Sequence, residues 1–199
     1  MLGQLKSAHN MYCDRRLGIQ TTADIRPPDT SLHRDSGKTS ALGYSLIGRY
    51  IRLLRLQPSD VVYDVGCGTG RPLCLFARRR VRRCIGIEID PTVAEIAKTN
   101  AANLVGRRAE ITVIHGDAAS STDYQDGTVF WLYHPFGQRT LAAVLERVRK
   151  SVEASPRSVR FCYVTPDVEQ AFSACGWLTR YKTVKPLLHP TSAASFWRN

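Results

Sequence analysis

This 199-residue sequence has no apolar run long enough to span a bilayer, and its polar start, MLGQLKSAHN, lacks the hydrophobic stretch of a secretory signal. A cytoplasmic protein without a membrane partner is expected. Lys6, Arg15 and Arg16 faintly resemble a transit peptide, but Asp14 interrupts them and no arginine-rich amphipathic helix is evident. Six cysteines are present without a single C-x-x-C pair, so buried thiols in a reducing compartment are expected, with neither zinc nor disulfides. The chain also lacks internal repeats and low-complexity tracts.

Acidic residues are in short supply. Seventeen Asp and Glu face 28 Lys and Arg, leaving a net charge of +11. Five of the six positions from Arg78 to Arg83 are arginine, and this run has two readings. It is either the solvated C-terminal end of a helix, where cations complement the dipole, or a patch for a polyanion such as nucleic acid. The remaining basic residues are scattered, with no aromatic interleaving. Oligomeric state is not legible.

A chain of this length suits one domain, able to bury about 70 % of its unfolded surface. Its most informative stretch is VVYDVGCGTGR, Val61 to Arg71. Val61, Val62, Tyr63 and Val65 read as a buried parallel strand, followed by a turn in which Gly66, Gly68 and Gly70 let the backbone approach a ligand. A dinucleotide loop spaces its glycines G-x-G-x-x-G and seats a pyrophosphate on a helix N-terminus. Here the spacing is G-x-G-x-G, and Asp64 precedes it, which favours a ligand with a cationic end such as S-adenosylmethionine. A nicotinamide oxidoreductase is disfavoured by the same spacing.

Strand and helix patterns alternate beyond the loop. A helix is expected over Arg71 to Arg80, a strand over Cys84 to Ile89, and a helix from Asp90-Pro91 to about Leu104, with Asp90 as its cap. Glu110 to Ile114 and Val129 to Tyr133 read as strands, followed by a helix at Arg139 to Val152 and a strand at Val159 to Val164. A short helix precedes Gly176. Trp177 to Val184 and Ala193 to Trp197 then suit an antiparallel hairpin closing the sheet edge. Upstream, Ser45 to Leu56 reads as an amphipathic helix. Residues 1–42 are expected to be an irregular arm, a possible lid, and residues 43–199 the folded domain.

Three acids fall at or beside the ends of three consecutive strands. Glu88 can accept hydrogen bonds from the two hydroxyls of a ribose, and Asp117 from the exocyclic amine of an adenine. An exposed loop acid and a turn aspartate are the plainer alternatives for these two.

At YDVGCGTG, GIEID and HGDA the chain resembles the class I, Rossmann-like S-adenosylmethionine-dependent methyltransferases, over about Gly43 to Trp177. The resemblance implies a doubly wound α/β fold with a mostly parallel seven-stranded sheet and an antiparallel last strand. It implies S-adenosylmethionine as cofactor and S-adenosylhomocysteine as product. It further implies that Gly66 and Gly68 line the methionine and ribose, that Glu88 holds the ribose and Ile89 packs on the adenine, and that Asp117 and Ala118 meet the adenine edge; Asp64 and Gly70 are cofactor-binding candidates from the loop itself. Tyr44 is a further candidate for the methionine end.

After the fourth strand stands Tyr133-His134-Pro135-Phe136-Gly137. Amino-methylating families carry Asn or Asp followed by two prolines and an aromatic residue here, so the match is partial. The chain is similar at this point to a group of bacterial methyltransferase-like proteins with Asn-Pro-Phe-Gly. Its glycine loop and Glu88 are also similar to those of the non-SET histone-lysine methyltransferases. His134 is the candidate general base, with a turn-bonding histidine as the alternative, and Tyr133 is a candidate for shaping the acceptor pocket. The expected activity is methyl transfer to an unknown acceptor, a protein or small molecule being favoured. The alternative is an inactive module of the same fold that binds nucleic acid.

Overall fold

The computed structural model describes residues 2–22, 42–120, 122–186 and 192–199. Its elements run α1 (Leu2–Leu17), α2 (Tyr44–Leu53), β1 (Val61–Val65), α3 (Arg71–Ala77), β2 (Arg83–Glu88), α4 (Pro91–Asn103), β3 (Glu110–His115), β4 (Val129–Tyr133), α5 (Gln138–Ala154), β5 (Arg160–Val164), α6 (Gln170–Ala174), β6 (Thr179–Val184) and β7 (Ala194–Arg198). The strands form one sheet in the order β3-β2-β1-β4-β5-β7-β6. β1 to β5 pair in parallel, and β7 runs antiparallel to both β5 and β6. This is the Rossmann-like seven-stranded sheet with a reversed last strand in a single domain.

The central strands β1, β4 and β5 are buried along nearly their whole length because helices cover both faces of the sheet. Alternation along β1 assigns the faces. Val62 belongs to one half of the core, with Ile47, Tyr50 and Ile51 of α2 and Leu73 and Phe76 of α3. Val61, Tyr63 and Val65 belong to the other, with Leu141, Val144 and Val148 of α5. Trp131 is fully buried on the first face, edge-on to Phe76 at 5.6 Å and tilted against Tyr50 at 6.3 Å. Phe130 and Phe161 stack at 4.8 Å on the second.

Helix α4 starts as its sequence dictates. The Asp90 carboxylate accepts from the Thr92 and Val93 N–H groups, and Pro91 opens the first turn. The edge strand β6 carries Arg180 and Lys182 and is exposed along most of its length, a composition that discourages further strand pairing.

The N-terminus departs from expectation. Residues 1–42 do not begin as an irregular arm, because α1 occupies Leu2–Leu17 and buries its last residue, and the chain beyond it buries Ile19 and Thr21. The helix has little apolar periodicity and docks through a buried polar group, Asp14. The expected lid over the ligand falls largely on residues 23–41, outside the described residues.

Candidate functional site

Strand order reverses direction between β1 and β4, and the crevice at the C-terminal ends of strands flanking such a point is where ligands bind in open α/β sheets. The loops after β1 and β4 meet there. Gly66 has φ +73°, and a Cβ built on it would lie 2.4 Å from Pro135 Cβ, so only glycine lets the two loops approach this closely. The Gly66 and Cys67 N–H groups both donate to Ile87 O at 2.9 Å, fastening the loop to β2.

Glu88, at the tip of β2, holds the loop from the other side. Its Oε2 accepts from Gly68 N–H at 2.8 Å, and its Oε1 from the Ile89 and Asp90 N–H groups at 3.0 Å each. A carboxylate has about four acceptor sites, so three are taken and a ribose diol needs two. Binding of such a diol therefore requires Glu88 to release one N–H, and Gly68 is the donor from the other element. Ile89 is half-buried beside it.

The tip of β3 is tied to this group. Gly116 N–H donates to Glu88 O at 2.9 Å, and His115 Nε2 lies 3.1 Å from Ile89 O. Asp117 accepts from Ala119 N–H at 2.8 Å and Ser120 Oγ at 3.1 Å, one bond on each oxygen, which leaves acceptor capacity for an amine. Ala118 is buried, its carbonyl accepting from Tyr124 Oη at 2.8 Å.

Asp64 sits differently from its expected place. It points to the α3 face of β1, is 1 % exposed, and accepts from Leu73 N–H at 3.0 Å. Burial pushes its carboxyl up to about 8, opposed by that hydrogen bond and reinforced by Glu88. Buried and turned toward α3, it does not present a repelling carboxylate to a ligand. It joins the first turn of α3 to the strand beneath.

Tyr44 is likewise engaged elsewhere. Its hydroxyl donates to Asp14, and the Arg71 guanidinium lies 4.8 Å from its ring centroid. Arg71, the first residue of α3 after Gly70, is 2 % exposed and donates to Thr21 Oγ1 at 2.6 Å, Thr22 Oγ1 at 2.8 Å and Leu42 O at 3.0 Å. Asp14 also accepts from Thr21 N–H, Thr21 Oγ1 and Thr22 Oγ1 at 2.7–2.8 Å. Burial alone would raise the Asp14 carboxyl, but the bonds from Tyr44, Thr21 and Thr22 outweigh it and hold the group below the usual carboxylate range. This buried network fixes the exit of the glycine loop against the N-terminal segment.

His134 follows β4 in a left-handed conformation, φ +40°, with its N–H donating to Val164 O at 3.2 Å. Its Nδ1 is buried without a hydrogen-bond partner and lies 3.6 Å from Asp167 Oδ2, in the loop after β5. The side chain is 39 % exposed, so that exposure belongs to the other ring atoms. Neighbouring Pro135 is the residue packed on Gly66. Tyr133 is half-buried at the end of β4. The structure thus gathers Gly66, Gly68, Glu88, Ile89, Asp117, Ala118 and His134 along one edge, and sets Asp64 and Tyr44 behind it as supports. Sequence reading missed Asp14, Arg71 and Asp167, whose partners lie far away in the chain.

Residues 62–155 match the family described as methyltransferase domain. The chain is 32 % identical over 113 residues to ribosomal RNA small subunit methyltransferase A of Thermobifida fusca, a match covering 56 % of this chain and 37 % of that protein. It therefore spans well under two thirds of that relative. Among solved structures it is similar to an RNA methyltransferase from Salinibacter ruber in complex with S-adenosyl-L-homocysteine, at 25 % identity and TM-score 0.56, covering 80 % of this chain and 92 % of that one. It shares its fold with an S-adenosylmethionine-dependent O-methyltransferase from Thermotoga maritima, at 16 % identity and TM-score 0.59, covering 81 % and 67 %. Residues 62–155 are thus similar to a methyltransferase domain, and the chain shares its fold with S-adenosylmethionine-dependent methyltransferases.

Proposed function

We propose that this chain transfers the methyl group of S-adenosylmethionine to RNA. The observation that carries the transfer reading is the convergence of the glycine loop, Glu88, Asp117 and the His134-Pro135 loop on one sheet edge. RNA as acceptor is supported by the two relatives named for RNA and by the net charge of +11, against the protein or small molecule that the sequence alone favours.

Bound cofactor supplies an electrophilic methyl carbon on a sulfonium. The residues then have three tasks. Glu88 takes the ribose hydroxyls, giving up Gly68 N–H as it does so. Asp117 accepts from the adenine amine through its open sites, with Ala118 at the adenine edge and Ile89 against the ring face. Alignment of the acceptor with the methyl carbon supplies much of the rate, and the packed contact of Pro135 on Gly66 sets the distance between the acceptor loop and the donor loop. His134 Nε2 takes the proton that the acceptor atom releases as it gains the methyl group, and passes it to water. Asp167, its Oδ2 3.6 Å from Nδ1, sets the orientation of the ring.

Incubation with labelled S-adenosylmethionine and fractionated RNA, protein and small molecules tests this reading. Label is expected in RNA. His134→Ala is expected to lower kcat about 100-fold, and Asp167→Asn to lower it less. A second reading, an inactive RNA-binding module of this fold, draws on the departure at His134, where amino-methylating families carry Asn or Asp. Cofactor binding without label in any fraction would favour it.

A further inference from the structure

The opposite edge of the sheet carries charge that the transfer site does not use. Arg78, Arg79 and Arg80 follow the last residue of α3 and are exposed, as is Arg82. Arg107 and Arg108 are exposed in the loop between α4 and β3. The fold brings these two segments together. Arg108 and Ala109 N–H both donate to Ala77 O, at 2.8 and 3.0 Å, and the Arg78 guanidinium lies 3.3 Å from where a Cβ on Gly106 would stand.

Among the described residues none of these six arginines has an ion-pair partner. The acids near them are mostly committed. Asp126 is paired with Arg83, and Asp60 holds Arg160 at 2.6–2.7 Å while accepting from Gln57 N–H and Thr128 Oγ1. Glu110, exposed at the head of β3, is the one carboxylate within the two segments. Dipole complementation accounts for cations at the end of a seven-residue helix, and Arg107 Nη1 reaches Ala101 O at 3.5 Å in the last turn of α4, but Arg82 and Arg108 lie outside both helices without such a contact among the described residues. Six like charges held together cost repulsion that a bound polyanion would relieve.

We propose that Arg78, Arg79, Arg80, Arg82, Arg107 and Arg108 form a docking surface for the phosphodiester backbone of double-stranded RNA. The proposal rests on RNA as the acceptor and names a second place where it is held. Guanidinium groups match phosphate oxygens in a two-pronged geometry. The two segments hold no aromatic side chain for unpaired bases to stack on, so the surface reads backbone rather than sequence. Arg83 and Glu88 begin and end β2, about 17 Å apart at ~3.3 Å per residue, so one stem can lie on the arginine edge while an adjoining nucleotide reaches the site.

Binding of the full chain to a labelled RNA hairpin across a salt series tests this. The triple variant R79E/R82E/R107E, and its neutral counterpart R79Q/R82Q/R107Q, alter exposed side chains outside the site. Both are expected to lose at least tenfold in hairpin affinity at low salt and to reduce the log–log salt slope by about 2 to 3. Melting temperature and S-adenosylhomocysteine affinity should match the parent, showing that both variants are folded. Unchanged hairpin binding by folded variants overturns the proposal, as does tighter binding of the parent to anionic phosphatidylserine vesicles than to the hairpin. Methyl incorporation into RNA is read separately: if the parent shows none, the acceptor reading fails, while arginine-dependent hairpin binding still establishes the surface.

Discussion

Glu88 has two duties at the residue scale, since the carboxylate proposed for the ribose is also the acceptor for Gly68 N–H. Cofactor binding and loop conformation are therefore linked at one side chain. Asp64 makes a different prediction. Its carboxyl is raised in the fold to about 8 from an ordinary value near 4. A raised acid binds more protons folded than unfolded, so the stability it confers is complete below about pH 4 and is lost as pH rises through 8. Asp64→Asn keeps an acceptor for Leu73 N–H and removes the titration. Thermal melts at pH 5 and pH 8.5 should show the variant losing less Tm than the parent over that interval, by about 3 °C or more; equal losses would contradict the burial argument. Gly66→Ala should fail for steric reasons. Its left-handed φ costs a β-carbon about 1 kcal/mol, and the contact with Pro135 forces the two loops apart, so S-adenosylhomocysteine affinity should fall at least tenfold by calorimetry. Unaltered affinity would show that the approach of the loops does not matter for the cofactor.

The same pair of residues marks what a sequence discloses at this scale. Gly66 is legible because glycine spacing directly reports backbone conformation. Asp64 misleads because an acid beside a glycine loop looks ligand-facing, and only the alternation of β1 turns it toward α3 and away from solvent.

Among the elements, the strands and their order of appearance are plain in the sequence, because buried parallel strands such as β1 and β4 are nearly continuous apolar runs. The reversed β7 follows from the hairpin pattern at the C-terminus. Helix α1 is hidden, since it docks through Asp14 rather than an apolar stripe, and a buried carboxylate and a buried arginine look like surface residues until their partners are known. That docking is testable. Arg71→Met removes one member of a buried charged network and leaves Asp14 with less compensation, which should cost about 3 kcal/mol and lower Tm by about 6 °C or more. Hydrogen exchange should rise first in α1 and the start of α3. Unchanged protection there would show that the network is not what fastens the N-terminal helix.

On the scale of the whole molecule, the parallel sheet separates two chemistries. The C-terminal ends of β1 to β4 gather Gly68, Glu88, Asp117 and His134, while the N-terminal ends of β2 and β3 lie beside the unpaired arginines. The residues proposed for the cofactor are legible in sequence because glycine spacing and acids at strand tips are local patterns. The acceptor side is not, because Asp167 comes from a different strand than His134 and the arginine edge is assembled from loops on either side of α4 and β2. The central claim is that the C-terminal edge of the sheet is a cofactor site organised around Glu88. Isothermal titration of S-adenosylhomocysteine into the parent chain and into Glu88→Ala tests it most directly. One-to-one binding by the parent, weakened at least tenfold in a variant that remains folded, is the expected result; a folded parent that binds neither S-adenosylhomocysteine nor S-adenosylmethionine would contradict it.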